Sequence, residues 1–290
     1  MAALKDIKRK VAAVQKTKQI TKAMNMVAAS KFRASQTRME SFRPYAQKFM
    51  ELLVSMASRV SPDADPLLAI REPKTIRVIC MSSDRGLCGG FNSNLIKSTE
   101  RFIKEKIAAG LKVDITPIGR KSRDYFRKKY QIINDRADIF GKFDMSLAEE
   151  IAADVIDPYV NEEFDELYII YNEFVNVSVQ RPAVVRLLPL SSAGKESDEN
   201  GEQKSDYSYE PSEDELIGTL LNMYIRVLLY RALLETSAGE NGARMAAMDN
   251  ATKNCDEMIN SLTLQYNKAR QAAITAELMD IVGGTEALKG

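Results

Sequence analysis

The stretch Ser82-Ser83-Asp84-Arg85-Gly86-Leu87-Cys88-Gly89-Gly90-Phe91-Asn92 lies between a strand-like run and a helix-like run, where loops that cradle phosphates occur. Its glycines follow neither G-x-G-x-x-G nor G-x-x-x-x-G-K-[ST] spacing. The spacing therefore favours a glycine turn that lets the helix pack close on a sheet. Cys88 near Arg85 has the surroundings of a lowered-pKa thiolate, but the chain contains no His to act as its base, which points to an inert thiol. The absence of His also excludes Ser-His-Asp and Cys-His nucleophiles, His acid–base work and His metal sites. Glu149-Glu150 and Glu162-Glu163 fall on a helix face and a turn, and read as surface charge. No catalytic, cofactor-binding or metal-ligating residue is expected.

The elements that would carry such residues make up 290 residues, enough for about two domains or one domain plus an extended element. Apolar residues are 45% and charged residues 28% of the chain, a folded composition rather than a disordered one. Three scattered cysteines, Cys80, Cys88 and Cys255, suit a reducing compartment and cannot form a disulfide framework. The longest apolar stretch, Ile225 to Leu234, is broken by Arg226 and Arg231, and residues 1–20 are basic without an apolar core. A soluble protein without a secretory signal is the expectation. The net charge of +1 hides a polarity along the chain. Residues 1–48 carry 12 Lys/Arg against Asp6 and Glu40, whereas 195–215 carry nine acids against Lys195 and Lys204.

Residues 3–57 lack Gly and contain one Pro, Pro44. A heptad seam from Leu4 through Ile7, Val11 and Val14 to Leu53 and Met56 is apolar at twelve of sixteen positions. A stripe so long and narrow predicts a coiled-coil helix, bent but not ended at Pro44. Steps of three and four from Ile217 to Ala276 are apolar at fifteen of eighteen positions. The phase crosses Gly239 and Gly242 unbroken, which predicts one helix stopping at Gly283-Gly284.

Between them, Thr75–Ser82, Lys112–Ile118, Glu166–Tyr171 and Val177–Leu188 read as strands, with a further short strand at Ile132–Ile133. Phe91–Ala109, Arg120–Tyr130 and Ser146–Val160 read as helices. This order predicts an open, Rossmann-like α/β sheet whose last two strands form a hairpin. The predicted organisation is 1–60, an N-terminal coiled-coil helix; 74–190, the α/β domain; 191–210, an acidic loop; and 211–283, the C-terminal coiled-coil helix. The two helices attach to one module and must pair antiparallel, with residue x facing roughly residue 270 − x. Lys268 to Val282 then extend beyond the first helix as a single-helix tip.

The seam has an anomaly. Lys18, Thr21 and Asn25 occupy consecutive core positions, while Ile20, Met24 and Val27 form an apolar stripe aimed elsewhere. Thr252 and Asn241 fall across from that stretch in the expected register. Either the stripe contacts something outside the pair, or the helices adjust locally. The basic first helix admits a solvated face, an acidic protein partner or nucleic acid, although Phe32, Phe42 and Phe49 lie on the seam and are not free to stack on bases.

Ile20-Thr21-Lys22-Ala23-Met24-Asn25-Met26-Val27-Ala28-Ala29-Ser30-Lys31, the Asp84–Asn92 turn, Arg244-Met245-Ala246-Ala247-Met248, Tyr209-Glu210-Pro211 and the Tyr266–Leu278 segment together resemble the gamma-subunit family of F-type ATP synthases, of the bacterial type. The resemblance covers the whole chain. It implies a non-catalytic central rotor shaft that couples rotation of the membrane c-ring to conformational change, and so to ATP synthesis or hydrolysis, in the alpha/beta hexamer. The implied partners are the alpha and beta subunits, epsilon and the c-ring, without nucleic acid. The implied place is peripheral, on the cytoplasmic face of the bacterial inner membrane. By motif, Met24, Arg244, Gln271, Thr275 and Glu277 correspond to hexamer and coupling contacts, with Gln271, Thr275 and Glu277 meeting Met24 and Arg244 or the hexamer. Tyr207, Tyr209 and Glu210 correspond to the foot on the c-ring. Ala273 stands where Ser is common, and no paired-Cys insertion implies the chloroplast thiol switch. The competing reading is a coiled-coil adaptor or nucleic-acid-binding protein with a Rossmann-like head.

Overall fold

A computed structural model describes residues 2–57, 65–190 and 213–287. It is a mixed α/β structure with long terminal helices that pair, as the heptads predict. Helix α1 spans Ala2–Ala57 with Pro44 inside it, and helix α5 spans Glu213–Ala287 through Gly239 and Gly242. The expected stop at Gly283-Gly284 is not observed, because α5 continues to Ala287. A glycine ends a helix by turning left-handed after the last turn, and neither of these glycines has a positive φ.

Between the long helices lie β1 (Thr75–Met81), α2 (Phe91–Ala108), β2 (Lys112–Ile118), α3 (Arg120–Phe126), α4 (Met145–Val160), β3 (Glu166–Phe174) and β4 (Gln180–Leu188). The sheet order is β2-β1-β3-β4, with β1 parallel to both neighbours and β3-β4 the antiparallel hairpin that was expected. Central β1 is covered on both faces, which is why TIRVICM reads as a nearly continuous apolar run. Ile76, Val78 and Cys80 pack under Leu95, Ile96 and Ile103 of α2 and Phe126 of α3. Arg77 is the exception on the other face. It is buried over the Phe164 ring at 4.3 Å and paired with Glu163 at 3.7 Å, and burial lowers its pKa.

Several sequence-derived boundaries need correction. The third strand runs on to Phe174 rather than ending at Tyr171, because its hairpin with β4 pairs as far as Phe174↔Gln180. The basic helix ends at Phe126 rather than Tyr130. Ile132–Ile133 forms no strand but a single bridge to Ile115, since Asn134 and Asp138 take positive φ and prevent a continuous ladder. The fourth strand starts at Gln180 because Asn176 folds 176–179 into a turn, its Oδ1 accepting from the amides of Ser178 and Val179.

The chain divides into two compact units, Met1–Ala28 with Met245–Gly290, and Ala29–Arg244. In the first, Thr21 meets Thr252 and Lys18 meets Asp256. In the second, Ser35 meets Ser237 at 3.1 Å, and the Phe42 ring meets Tyr230 edge-on at 4.9 Å. Residue numbers rise on one helix as they fall on the other, so the pairing is antiparallel in both units. Each pair sums to between 272 and 274, against the expected 270. The second unit departs from a simple seam, because every residue from Ala232 to Ala243 is buried. There α5 lies against α1 on one side and the sheet on the other.

The α2–α3 contact carries a carboxylate held in its charged form. Glu100 accepts from the Tyr125 hydroxyl at 2.7 Å and from Lys129 at 3.0 Å, and these bonds hold its pKa down to about 2 from 4.5. A carboxylate depressed by folding stabilises the fold above its unfolded value and loses that contribution as pH falls through the folded one. The protection factors of the α3 amides, taken relative to the intrinsic exchange rate at each pH, are therefore expected to fall from pH 4.5 down towards pH 2. The Glu100→Gln variant is expected to show no such step in that window.

Candidate functional site

The Ser82–Asn92 turn sits at the carboxyl end of β1, the central strand whose neighbours leave in opposite directions. Doubly wound sheets bind their ligands at such a position. Here the turn is engaged by its own chain. The Asp84 carboxylate accepts from the amides of Arg120 (3.0 Å), Asp138 (2.7 Å) and Phe140 (3.0 Å), fixing the start of α3 and the loop beyond it. Asn92 bridges the turn's two ends, accepting from the Ser83 amide at 3.0 Å and donating to Cys88 Sγ at 3.2 Å. Helix α5 closes the remaining side. At Gly239 an added Cβ would lie 2.9 Å from the Phe91 ring, and Arg244 donates to the Gly86 carbonyl from both Nε and Nη2 at 3.2 Å. Glu240, 5% exposed, pairs with Arg244, and burial raises its pKa. The turn is thus a packing device, as its glycine spacing suggests. Burial also pushes the Cys88 thiol up, away from the thiolate.

Arg244 is accordingly placed inside the second unit, with its side chain 11% exposed. Asp84, Glu240, Arg43 and Glu235 complete the polar framework there; the sequence reading named Asp84 only as the start of the turn and the other three not at all. The only available signal was the charge of Glu235 and Glu240 within an otherwise small or apolar stretch, where solvent exposure is the simpler reading.

In the first unit the three polar seam residues are all paired across the helices. Thr21 Oγ1 lies 2.8 Å from Thr252 Oγ1, Asn25 Nδ2 donates to the Met245 carbonyl at 2.8 Å, and Lys18 forms an ion pair with Asp256. Asn241 is not part of this set. It belongs to the second unit and donates to the Ser237 carbonyl of its own helix. Polar groups matched in the seam fix register, because slippage would leave buried donors and acceptors unpaired. The displaced apolar stripe faces outward at Ile20 (60% exposed) and Val27 (58%), while Met24 is half-buried.

Gln271, Thr275 and Glu277 are exposed on the last part of α5, with Thr275 Oγ1 bonded to the Gln271 carbonyl at 3.0 Å. Around them Ile274, Leu278, Met279, Ile281 and Val282 are also exposed. The Thr21–Thr252 register puts Met24 opposite the Met248 region. Gln271 is therefore about 35 Å further along the helix at ~1.5 Å per residue, and the two do not touch. Arg244 belongs to the other unit. Tyr207, Tyr209 and Glu210 lie outside the described residues. Among the described residues, no helix is long and apolar enough to cross a membrane.

A sequence model of the ATP synthase family matches residues 3–288. The ATP synthase gamma chain of Syntrophus aciditrophicus is 78% identical over 288 residues, 99% of each chain. Among solved structures, a chain of the central stalk and c-ring of the Tetrahymena thermophila mitochondrial ATP synthase is 26% identical. Its TM-score is 0.61, over 80% of this chain and 99% of that one. A chain of the Euglena gracilis mitochondrial ATP synthase, 21% identical with a TM-score of 0.69 over 99% of this chain and 95% of that one, shares the fold. Residue types, paired helices and the covered sheet crevice therefore converge on one assignment, and the chain belongs to the ATP synthase gamma-chain family, whose members are non-catalytic subunits of the complex.

Proposed function

We propose that this chain is the central rotor shaft of an ATP synthase, turning inside an alpha/beta hexamer and coupling c-ring rotation to ATP synthesis or hydrolysis. The observation that carries the reading is the family match across 3–288, joined to full-length identity with a gamma chain. The geometry is suited to it. A shaft must hold its own register while offering its partner a surface without strong angular preference. Seam positions satisfied by internal hydrogen bonds, with exposed Ile20 and Val27 outside, meet both needs. Nothing in the family match supports the adaptor or nucleic-acid reading.

In this reading Met24, Gln271, Thr275 and Glu277 meet the hexamer, and Arg244 acts through the turn that it holds. The partners are the alpha and beta subunits, epsilon and the c-ring, at the cytoplasmic face of a bacterial inner membrane. Affinity purification of the tagged chain from membranes is expected to recover an ATP-hydrolysing hexamer together with a c-ring. Recovery of the chain alone, or with nucleic acid, would remove the reading. Replacing Tyr207, Tyr209 and Glu210 together by Ala is expected to weaken binding to the membrane sector while leaving ATP hydrolysis by the soluble hexamer unchanged. Sedimentation of membranes with and without the variant measures this, and unchanged retention of the hexamer would exclude the foot assignment.

A further inference from the structure

Strand β3 outruns its neighbour. Pairing with β1 ends at Cys80↔Ile170, but β3 continues to Phe174. A strand residue's N–H and C=O point to the same side, so Phe174 presents both to the edge that β1 has vacated. Buried backbone groups must find partners. Both long helices supply one. Glu235 of α5 accepts from the Phe174 amide at 3.3 Å, and Arg43 of α1 donates from Nη2 to the Phe174 carbonyl at 2.9 Å. The two side chains also hold each other, with Arg43 Nη2 3.8 Å from the Glu235 carboxylate, to which Arg231 donates at 3.0 Å. Beside them the Phe174 ring contacts Phe32 of α1, with centroids 5.7 Å apart.

Glu235 is fully buried, so it cannot act by touching a partner protein. We propose that Glu235 and Arg43 are positioning residues that clamp the end of β3 to both shaft helices, and that this clamp transmits torque between the sheet and the shaft. This rests on the rotor reading above. The physical reason is directional. Apolar packing is roughly proportional to area and lets a helix roll or slide on a sheet at little loss of burial. Hydrogen bonds weaken steeply with angle, and a buried carboxylate separated from its partners is strongly disfavoured. A joint loaded in torsion therefore resists rotation through its polar contacts. The clamp is the place where side chains of α1 and α5 hold the two backbone groups of a single β3 residue.

The test has two arms, applied to Glu235→Ala, Glu235→Gln and Arg43→Met. In the isolated full-length chain, hydrogen exchange of the Phe174 amide should quicken by about tenfold in Glu235→Ala, and less in Glu235→Gln, which keeps an acceptor. In membrane vesicles holding equal amounts of assembled complex, proton pumping per ATP hydrolysed should fall in the same order. Arg43→Met should lower pumping too, and combining it with Glu235→Gln should add less than the sum, since both grip one residue. A residue that only stabilises the fold would reduce the amount of complex but not its pumping ratio. Faster exchange with a wild-type ratio overturns the proposal, as does unchanged exchange. Should Glu235→Ala not fold, Glu235→Gln and Arg43→Met decide the matter by the same two readings. A wild-type chain that brings no ATPase out of membranes defeats the rotor reading, and that result is separate from the exchange arm.

Discussion

Gly119→Ala is expected to abolish folding of the second unit, while Gly110→Ala is tolerated, although both glycines have positive φ. Gly110 has φ +86°, where a side chain carries a penalty of about 1–2 kcal/mol, whereas Gly119 combines φ +93° with ψ 144°, next to the region that only glycine enters readily. The larger difference lies in what the new methyl would meet. At Gly110, which ends α2, nothing lies within 4 Å. At Gly119, between β2 and α3, a Cβ would fall 2.1 Å from the Ser82 carbonyl oxygen and 2.8 Å from its carbon. Those atoms are backbone and cannot swing away. Ser82 itself is fixed, with its amide bonded to the Ile118 carbonyl at 2.8 Å and its hydroxyl accepting from the Ser122 amide at 2.7 Å. Relief requires the carboxyl ends of β1 and β2 to separate, which takes the start of α3 and the Asp84 anchor with them. The expected loss is above ~4 kcal/mol for Gly119→Ala against about 1 kcal/mol for Gly110→Ala. Urea denaturation followed by tyrosine fluorescence, usable because the chain has no Trp, measures both. Similar losses for the two variants would show that the clash is absorbed.

Arg244→Met should produce the second large effect, and its signature is rescue. The methionine keeps much of the apolar stem but removes the guanidinium that serves Glu240 and the Gly86 carbonyl. A nearly buried carboxylate would be left without its cation, and breaking such a pair from one side costs about 3–5 kcal/mol. Glu240 limits the damage by taking up a proton. Its folded pKa is already raised by burial, and losing Arg244 raises it further. The sign follows from linkage. For a group whose pKa rises on folding, the stabilising contribution is complete below its unfolded value and is lost as pH rises through the folded one. The variant should therefore be nearer wild type at pH 5 than at pH 8, and the pair Arg244→Met with Glu240→Gln should recover most of the loss at neutral pH, leaving about 1–2 kcal/mol for the freed carbonyls. If Arg244 served only as a contact to a partner subunit, the isolated chain would unfold at the wild-type urea concentration in every variant.

These expectations separate what the chain states locally from what the fold assembles. Periodicity suffices for α1 and α5, because a stripe repeating every three and four residues buries one face only if the segment is helical. The same phase carried across Gly239 and Gly242 correctly outweighed their low helix propensity. The sheet was also legible, since TIRVICM and ELYIIY are apolar enough to be buried on both faces and are separated by amphipathic helices. Terminal glycines misled, because Gly283 and Gly284 permit a stop without imposing one.

The polar framework was not legible. A heptad count treats each long helix as having one buried face, so Glu235, Glu240 and Arg43 read as solvated charge. The structure buries α5 all round from Ala232 to Ala243 by inserting it between α1 and the sheet, and that makes each of these charges a specific contact. The Phe174 backbone groups that Glu235 and Arg43 hold, and the Gly86 carbonyl that Glu240's partner Arg244 holds, are backbone groups identical in every residue and hence invisible to any reading of side-chain types. Sequence alone determined the helix pair and the sheet, because burial patterns repeat along the chain, and its motifs carried the resemblance to the family. Only the tertiary structure decided which backbone groups were left without strand partners and which side chains came to satisfy them, because that depends on where β1 stops relative to β3.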